Sequence, residues 1–201
     1  MATDSATRGA HTRTRLLDAA VQLIVEEGWG AVTTRKMADR AGVRAGVVHY
    51  HFGTVTDLLV DAALDALRRE LMAALGVLRE ARDASAGIAD LLAVLQGYSP
   101  EDPATVLMSE TLLASTRIER LRSELSGLMR ELRGAMADWL RARDSVPDPE
   151  ATAAVLGAAL DGLVLHCLLD PELRTTSLAG PLTRLTGTEE TPDDTDRDGT
   201  R

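Results

Sequence analysis

The stretch Thr33-Thr-Arg-Lys-Met-Ala-Asp-Arg-Ala-Gly-Val-Arg-Ala-Gly-Val-Val-His-Tyr-His-Phe52 decides the reading of this 201-residue chain. Thr33 carries the hydroxyl of a helix N-cap, and the helix it opens is expected to end near Ala41-Gly42. Gly42 supplies the left-handed backbone that a tight turn between two helices needs. A second, short helix is predicted over 45–51. Met37, Ala38, Val43, Val48 and Phe52 fall where a small helical head needs its core, with His51 partly inside. Arg35 and Lys36 stand in the first turn of the leading helix, where the helix dipole disfavours cations. That placement makes sense if this end faces an anion. Ala45, Gly46 and Val47 are small and permit close approach of the following helix to a partner. Arg44, at its entry, has the fork geometry for a phosphate or for the O6/N7 edge of guanine. His49 and Tyr50 add hydrogen-bonding groups beside them. Two positions apart on a helix, His49 and His51 point away from one another, so they make no metal site.

Working outward, Leu16, Ala20, Leu23 and Ile24 mark an amphipathic helix from about His11 to Gly28, with Glu26 and Glu27 turned to solvent. Residues 1–10 carry no such pattern and are expected to be disordered. After Phe52 a long helix shows Leu64, Leu67, Leu71, Leu75 and Leu78 on one stripe. It is expected to break over 83–87 before a helix carrying Ile88, Leu91, Leu92 and Leu95. Residues 97–103 read as a loop or the irregular start of a helix through about Ser115. Ile118, Leu121, Leu125, Leu128, Leu132, Met136 and Trp139 give the cleanest helical period of the chain. Pro147 and Pro149 separate it from a last major helix near 150–169, and a shorter one follows Pro171. The Thr-, Asp- and Gly-rich segment 187–201 is expected to be a disordered tail. No segment reads as a strand, so the fold class is all-α.

Composition agrees. Hydrophobic residues make up 45% of the chain but aromatics only 2%, which favours helices packed with Leu, Ala, Val and Met over sheet. A single cysteine, Cys167, excludes an internal disulfide and fits a reducing cytoplasm. The start of the chain lacks the apolar stretch of a signal peptide, and no uninterrupted apolar run approaches the roughly 18 residues of a membrane span. The net charge of -9 is uneven: residues 1–57 balance at +1 and the remainder at -10. A near-neutral head on an acidic body can still present a local basic face. There is no glycine-rich phosphate loop, nucleophile motif or metal-ligand spacing, so neither an enzyme nor a bound cofactor or metal is expected.

The 33–52 stretch resembles the helix-turn-helix of the tetracycline-repressor (TetR) family, which reads Thr-Thr, a helix, Ala-Gly-Val, then a short helix closing on Tyr-x-His/Tyr-Phe. Arg15-Leu-Leu-Asp-Ala-Ala20 before it and Asp57-Leu-Leu59 after it extend the likeness over about 12–60. The resemblance implies a DNA-binding head over 10–60 and a helical ligand-binding and dimerisation domain over 61–186, joined by the long helix. It implies base reading by Arg35, Arg44, Ala45 and Val47, and backbone contacts by Thr33, Thr34, Lys36, His49 and Tyr50, with Gly46 and His51 on the same surface. Two positions depart from the pattern. His49 stands where the family has Tyr, and Val55 where it has Lys, which removes two phosphate contacts that Arg8, Arg13 or Arg15 would have to replace.

The implied function is a ligand-responsive repressor that binds a palindromic double-stranded operator as a homodimer, with no membrane role. Alternatives within the same reading are an activator or a co-repressor-dependent regulator; outside it stands a helical small-molecule-binding protein with a weakened head. On the last major helix, Ala151, Ala154, Ala158 and Gly162 form a small-residue stripe suited to a two-fold contact. Leu156, Leu160, Leu163 and Cys167 lie on another face. Tyr98, Met108, Glu110, Trp139 and His166 stand out in the apolar body as ligand-facing candidates, Glu110 and Asp161 being carboxylates in apolar runs that need a partner. The scarcity of aromatics argues against a cage for a quaternary ammonium.

Overall fold

The computed structural model describes residues 2–143 and 146–186; the expected disordered tail, 187–201, lies outside the described residues. The chain is helical throughout these residues, with no strand among them. The helices are α1 (Ala2–Glu27), α2 (Thr34–Ala41), α3 (Ala45–Phe52), α4 (Val55–Glu80), α5 (Ala84–Gln96), α6 (Pro103–Ser115), α7 (Glu119–Arg141), α8 (Pro149–Leu169) and α9 (Ala179–Arg184). Short 3-10 turns occupy Trp29–Ala31 and Pro171–Thr175. The chain forms two compact units, one of residues up to Ala74 with Tyr98–Leu132, the other of Leu75–Gly97 with the residues from Arg133 onward. Helices α4 and α7 each run from one unit into the other.

In the first unit, α1, α2 and α3 close over Leu16, Leu23, Ile24, Met37 and Val48, all at most 2% exposed. Leu58, Leu59, Ala62 and Ala63 of α4 and Leu107 of α6 complete that core. The helix-turn-helix therefore does not stand alone: α6, some 55 residues further along the chain, contributes a side chain to its interior. Charge ties the same elements together. Arg120 Nη1 of α7 meets Asp57 Oδ1 of α4 at 3.1 Å, its Nη2 meets Asp61 Oδ1 at 2.6 Å, and Arg13 of α1 shares Asp61 at 2.9 Å. Arg13 also lies 4.9 Å from the centre of the Phe52 ring.

In the second unit, Trp139 of α7 lies against the backbone of α5 at Gly87, where a Cβ would approach the indole to 2.6 Å. Gly87 is thus required by packing and sits inside α5. The expected break over 83–87 shrinks accordingly, because Asp83 caps α5 by accepting from the Ala86 N–H at 2.8 Å. The Arg143 guanidinium stacks 4.1 Å over the Trp139 ring and donates to the Trp139 and Ala81 carbonyls.

One further expectation changes. Residues 2–10, expected to be disordered, are the first turns of α1. Alanines at 2, 6 and 10 favour helix, and the Thr12 and Thr14 hydroxyls turn back onto the Arg8 and Ala10 carbonyls at 3.0 and 3.2 Å. Helix α8 is long and apolar enough to cross a membrane by length and composition, although Asp161 interrupts its apolar run. Only 28% of its most apolar window is buried, so much of this apolar helix faces outward from its own unit.

Candidate nucleic-acid interface

Thr33 caps α2 as its position implies, its hydroxyl accepting from the Lys36 N–H at 3.4 Å, and Gly42 takes the left-handed conformation at φ 62°. The Gly42 and Val43 N–H groups then satisfy the last carbonyls of α2. Arg44 follows in extended backbone as the N-cap of α3, with no side-chain cap bond, and is exposed. This turn orients α3 so that Val48 and Phe52 point into the core while Ala45, Gly46, His49 and Tyr50 are exposed and Val47 and His51 are half-buried. Tyr50 is 85% exposed and stacks edge-on to His51 at 5.1 Å. A Cβ at Gly46 would meet nothing within 4 Å, so nothing inside the protein requires glycine there.

The cations divide into two groups. The Arg35 side chain is 91% exposed, its ion-pair partner among the described residues being Asp39 at 3.9 Å. Lys36, expected to face an anionic partner, finds one at home: its ammonium bonds the Glu27 carboxylate and the Ala31 carbonyl. Arg40 likewise pairs with Glu26, its Nη1 at 3.0 Å from Oε1. Of the arginines expected to make good missing phosphate contacts, Arg13 is engaged with Asp61, and Arg15 donates to the Ala41 carbonyl at the end of α2. Arg35 and Arg44 therefore lead the basic side of this face. His49 Nδ1 lies 2.8 Å from the Gly53 carbonyl, a contact at the end of α3 that the residue makes while staying exposed. Val55, in place of a lysine, packs half-buried against the head core.

The five ligand-facing candidates are not brought together in one unit. Tyr98, Met108 and Glu110 belong to the first and Trp139 and His166 to the second. The Tyr98 hydroxyl lies 3.5 Å from Glu70, and burial, followed by that carboxylate, pushes its ionisation up. Met108 is half-buried on α6 and His166 is exposed on α8. Trp139 is buried, its indole N–H without a partner among the described residues. Glu110 is committed elsewhere: its Oε2 accepts from the backbone N–H of Trp29 at 2.7 Å. Sequence reading offered no sign of this contact, which joins residues 81 positions apart.

On α8, Leu156, Leu160 and Cys167 are buried as expected and Leu163 half-buried, while Ala151, Ala154 and Ala158 are exposed and Gly162 is half-buried. Val155, Leu165 and Leu169, at 52, 56 and 77% exposure, extend the same side at helical spacing. Asp161 stands on this side, where apolar crowding raises its carboxyl and Arg133 only partly offsets the effect.

A compact three-helix head whose second short helix turns an exposed, small-residue face outward, with arginines at its edge, defines a helix-turn-helix DNA-binding regulator. Family models agree on both parts of the chain: that of bacterial regulatory proteins of the tetR family matches residues 16–62, and that of the tetracyclin repressor-like C-terminal domain matches 79–188. The chain belongs to the TetR family of transcriptional regulators, which is not an enzyme family. It is 30% identical over 157 residues to the regulator BetI of Rhizobium meliloti, covering 77% of this chain and 76% of that protein. The solved structure of a transcriptional regulator from Streptomyces coelicolor A3(2) superposes with a TM-score of 0.70 at 30% identity, over 88% of this chain and 99% of that one. The multidrug binding protein EbrR, solved with malachite green, superposes with a TM-score of 0.65 at 29% identity, over 87% and 97% of the two chains.

Proposed function

We propose that this regulator is a ligand-responsive repressor that acts in the cytoplasm as a homodimer on a palindromic operator. The observation that carries the reading is the outward side of α8. Ala151, Ala154, Val155, Ala158, Leu165 and Leu169 form one apolar stripe that its own unit leaves exposed. Such a stripe calls for an apolar partner, and a second copy supplies the same surface under two-fold symmetry. Two copies carry two α3 helices, which is what two half-sites one helical turn apart require. Direct reading falls to Arg35, Arg44, Ala45 and Val47, with Thr33, Thr34 and Tyr50 as positioning contacts to phosphate. Effector responsiveness is supported by likeness to EbrR, whose structure holds malachite green. In this chain the buried indole N–H of Trp139, without a partner among the described residues, is a candidate donor to an effector acceptor.

A gel shift with DNA flanking the chain's own gene, at low and at physiological salt, tests the reading together with sedimentation of the free protein. Retarded DNA and a dimer are expected. One observation favours a second reading, a helical small-molecule-binding protein with a weakened head: Arg13, Arg15, Lys36 and Arg40 are all engaged inside the head. No retardation with any fragment at either salt would favour that alternative.

A further inference from the structure

The short turn Trp29–Ala31 joins α1 to α2 and carries an unusual demand. Gly28, at its N-cap, has φ 83° and ψ 155°, a conformation that L side chains rarely adopt. Glycine is needed to make the corner, and glycine has no side chain with which to cap the N–H groups of the turn it opens. The missing acceptor arrives from α6. Glu110 Oε2 receives the Trp29 N–H at 2.7 Å, and the carboxylate lies 3.5 Å from where a Gly28 Cβ would stand. A carboxylate at the start of a helical turn is favoured by both the hydrogen bond and the local dipole. The other end of the turn is held just as specifically, since the Ala31 carbonyl accepts from Lys36 Nζ of α2 at 3.0 Å. One turn before Glu110, Leu107 is buried in the head core, and Thr111 is buried beside it with its hydroxyl on the Leu107 carbonyl at 2.7 Å. Helix α6 therefore touches the head through an apolar peg and one charged polar clamp. The clamp closes on the first residue of the turn that leads into α2.

We propose that Glu110 is a positioning residue of the DNA-reading head: from α6 it holds the Trp29–Ala31 turn and so sets where α2 and α3 stand. This rests on the DNA-binding reading above. Glu110 contacts no DNA in this role and acts through the turn. Its consequence has a sign that simple charge does not give. Removing a negative side chain from the unit that carries the head strengthens binding to a polyanion if charge alone matters. Removing a positioning residue weakens it.

The test uses the full chain and the duplex that the wild-type protein selects from a random-sequence pool. E110A, E110Q and L107A are compared by amide hydrogen exchange, thermal unfolding and affinity for that duplex. E110A is expected to speed exchange of the Trp29 amide about tenfold or more, leaving the core of α1 over 16–24 unchanged. Its affinity for the selected duplex is expected to fall about tenfold, with the salt dependence of binding unaltered because no phosphate contact is lost. E110Q keeps an acceptor at the same reach and restores most of both. L107A, which removes only the apolar peg, is expected to lower the unfolding temperature with Trp29 exchange rising no more than that of the α1 core. The proposal is overturned if E110A binds the duplex as tightly as wild type or tighter, or if Trp29 exchange is unchanged. It is equally overturned if E110A merely lowers thermal stability and speeds exchange uniformly, as L107A does. Should the wild-type chain select no duplex, the DNA-binding reading falls, and with it the role assigned here, whatever the exchange shows of the clamp.

Discussion

Helices α3 and α8 both turn small residues outward, and the difference between them shows how little smallness says alone. Ala45 and Gly46 on α3 and Ala151, Ala154 and Ala158 on α8 all let another backbone come close. What surrounds them names the visitor. The short α3 is flanked by Arg44, His49 and Tyr50, and Arg35 stands on α2 before it. The 21 residues of α8 are flanked by Val155, Leu165 and Leu169. A groove lined with phosphates suits the first and an apolar helix the second.

The largest expected effect breaks the α8 side of that comparison. Placing a charge in the stripe with A158E or L165E should turn the dimer into a monomer, at a cost of about 3 kcal/mol or more, because two like charges would be buried against each other. Sedimentation equilibrium measures it directly, and duplex affinity should fall with it as the two heads lose their fixed spacing. A wild-type chain that sediments as a monomer would remove the dimer reading, leaving the exposed leucines to be explained otherwise.

The α3 side is sharpened by separating cations that look alike in sequence. R44A is expected to cost about 1–3 kcal/mol in binding the selected duplex and to relax preference at one base position. R35A, at the other arginine assigned to base reading, should likewise lower affinity for that duplex and relax preference at a different base position. K36A should instead act mainly on folding, since Lys36 already bonds Glu27 and Ala31. Equal losses from all three in anisotropy titrations over a range of salt would contradict the division.

That division also marks what could be read from sequence. Thr33, Gly42 and the buried Met37, Val48 and Phe52 were legible because capping, turn geometry and helical period are local rules, and each lies within a few residues of its cause. The α8 stripe was legible for the same reason, since period alone separates Leu156 and Leu160 from Ala154 and Ala158. The fate of Lys36 was not, because its partner Glu27 reaches it only after α1 and α2 fold together. Nor was that of Glu110, whose surroundings in sequence are apolar and suggested a ligand. Its partner is a backbone N–H far along the chain, which no pattern of side chains announces. Gly87 was misread as a breaker because nothing nearby in sequence shows the indole of Trp139 resting on it.

Glycine supplies a sharper probe of the same comparison. Neither Gly46 on α3 nor Gly162 on α8 would have its Cβ within 4 Å of anything in the chain. In isolation each costs its helix about 1 kcal/mol relative to alanine. G46A is therefore expected to raise the unfolding temperature slightly while weakening duplex binding, two changes of opposite sign from one methyl group. G162A should weaken the dimer while leaving duplex contacts at each head intact. If G46A gains stability with no loss of affinity, close approach at α3 is not how this head reads DNA.

The smallest expected effect is in pH dependence, where the two regions should respond in opposite senses. Asp57, at the start of α4, is held below the ordinary carboxylate range first by the Thr54 hydroxyl at 2.6 Å and then by Arg120. Because the folded state favours its charged form, its contribution is present above an unfolded pKa of about 3.9 and is lost as pH falls toward the folded value. That contribution is under about 1 kcal/mol, since solvent screens so exposed a pair. Asp161 is raised by apolar crowding, so the folded state favours its neutral form. Its penalty is full above the folded pKa and is relieved as pH falls through that value toward about 3.9. D57N should thus flatten the acid limb of stability below about pH 4, and D161N should flatten a rise in stability on acidification above it. Burying Asp161 against a second copy deepens its desolvation, so the D161N effect should grow with protein concentration across the monomer–dimer range. Denaturant melts at two concentrations measure this. A D161N effect that is the same at both would place Asp161 outside the two-fold contact even if the dimer itself is real.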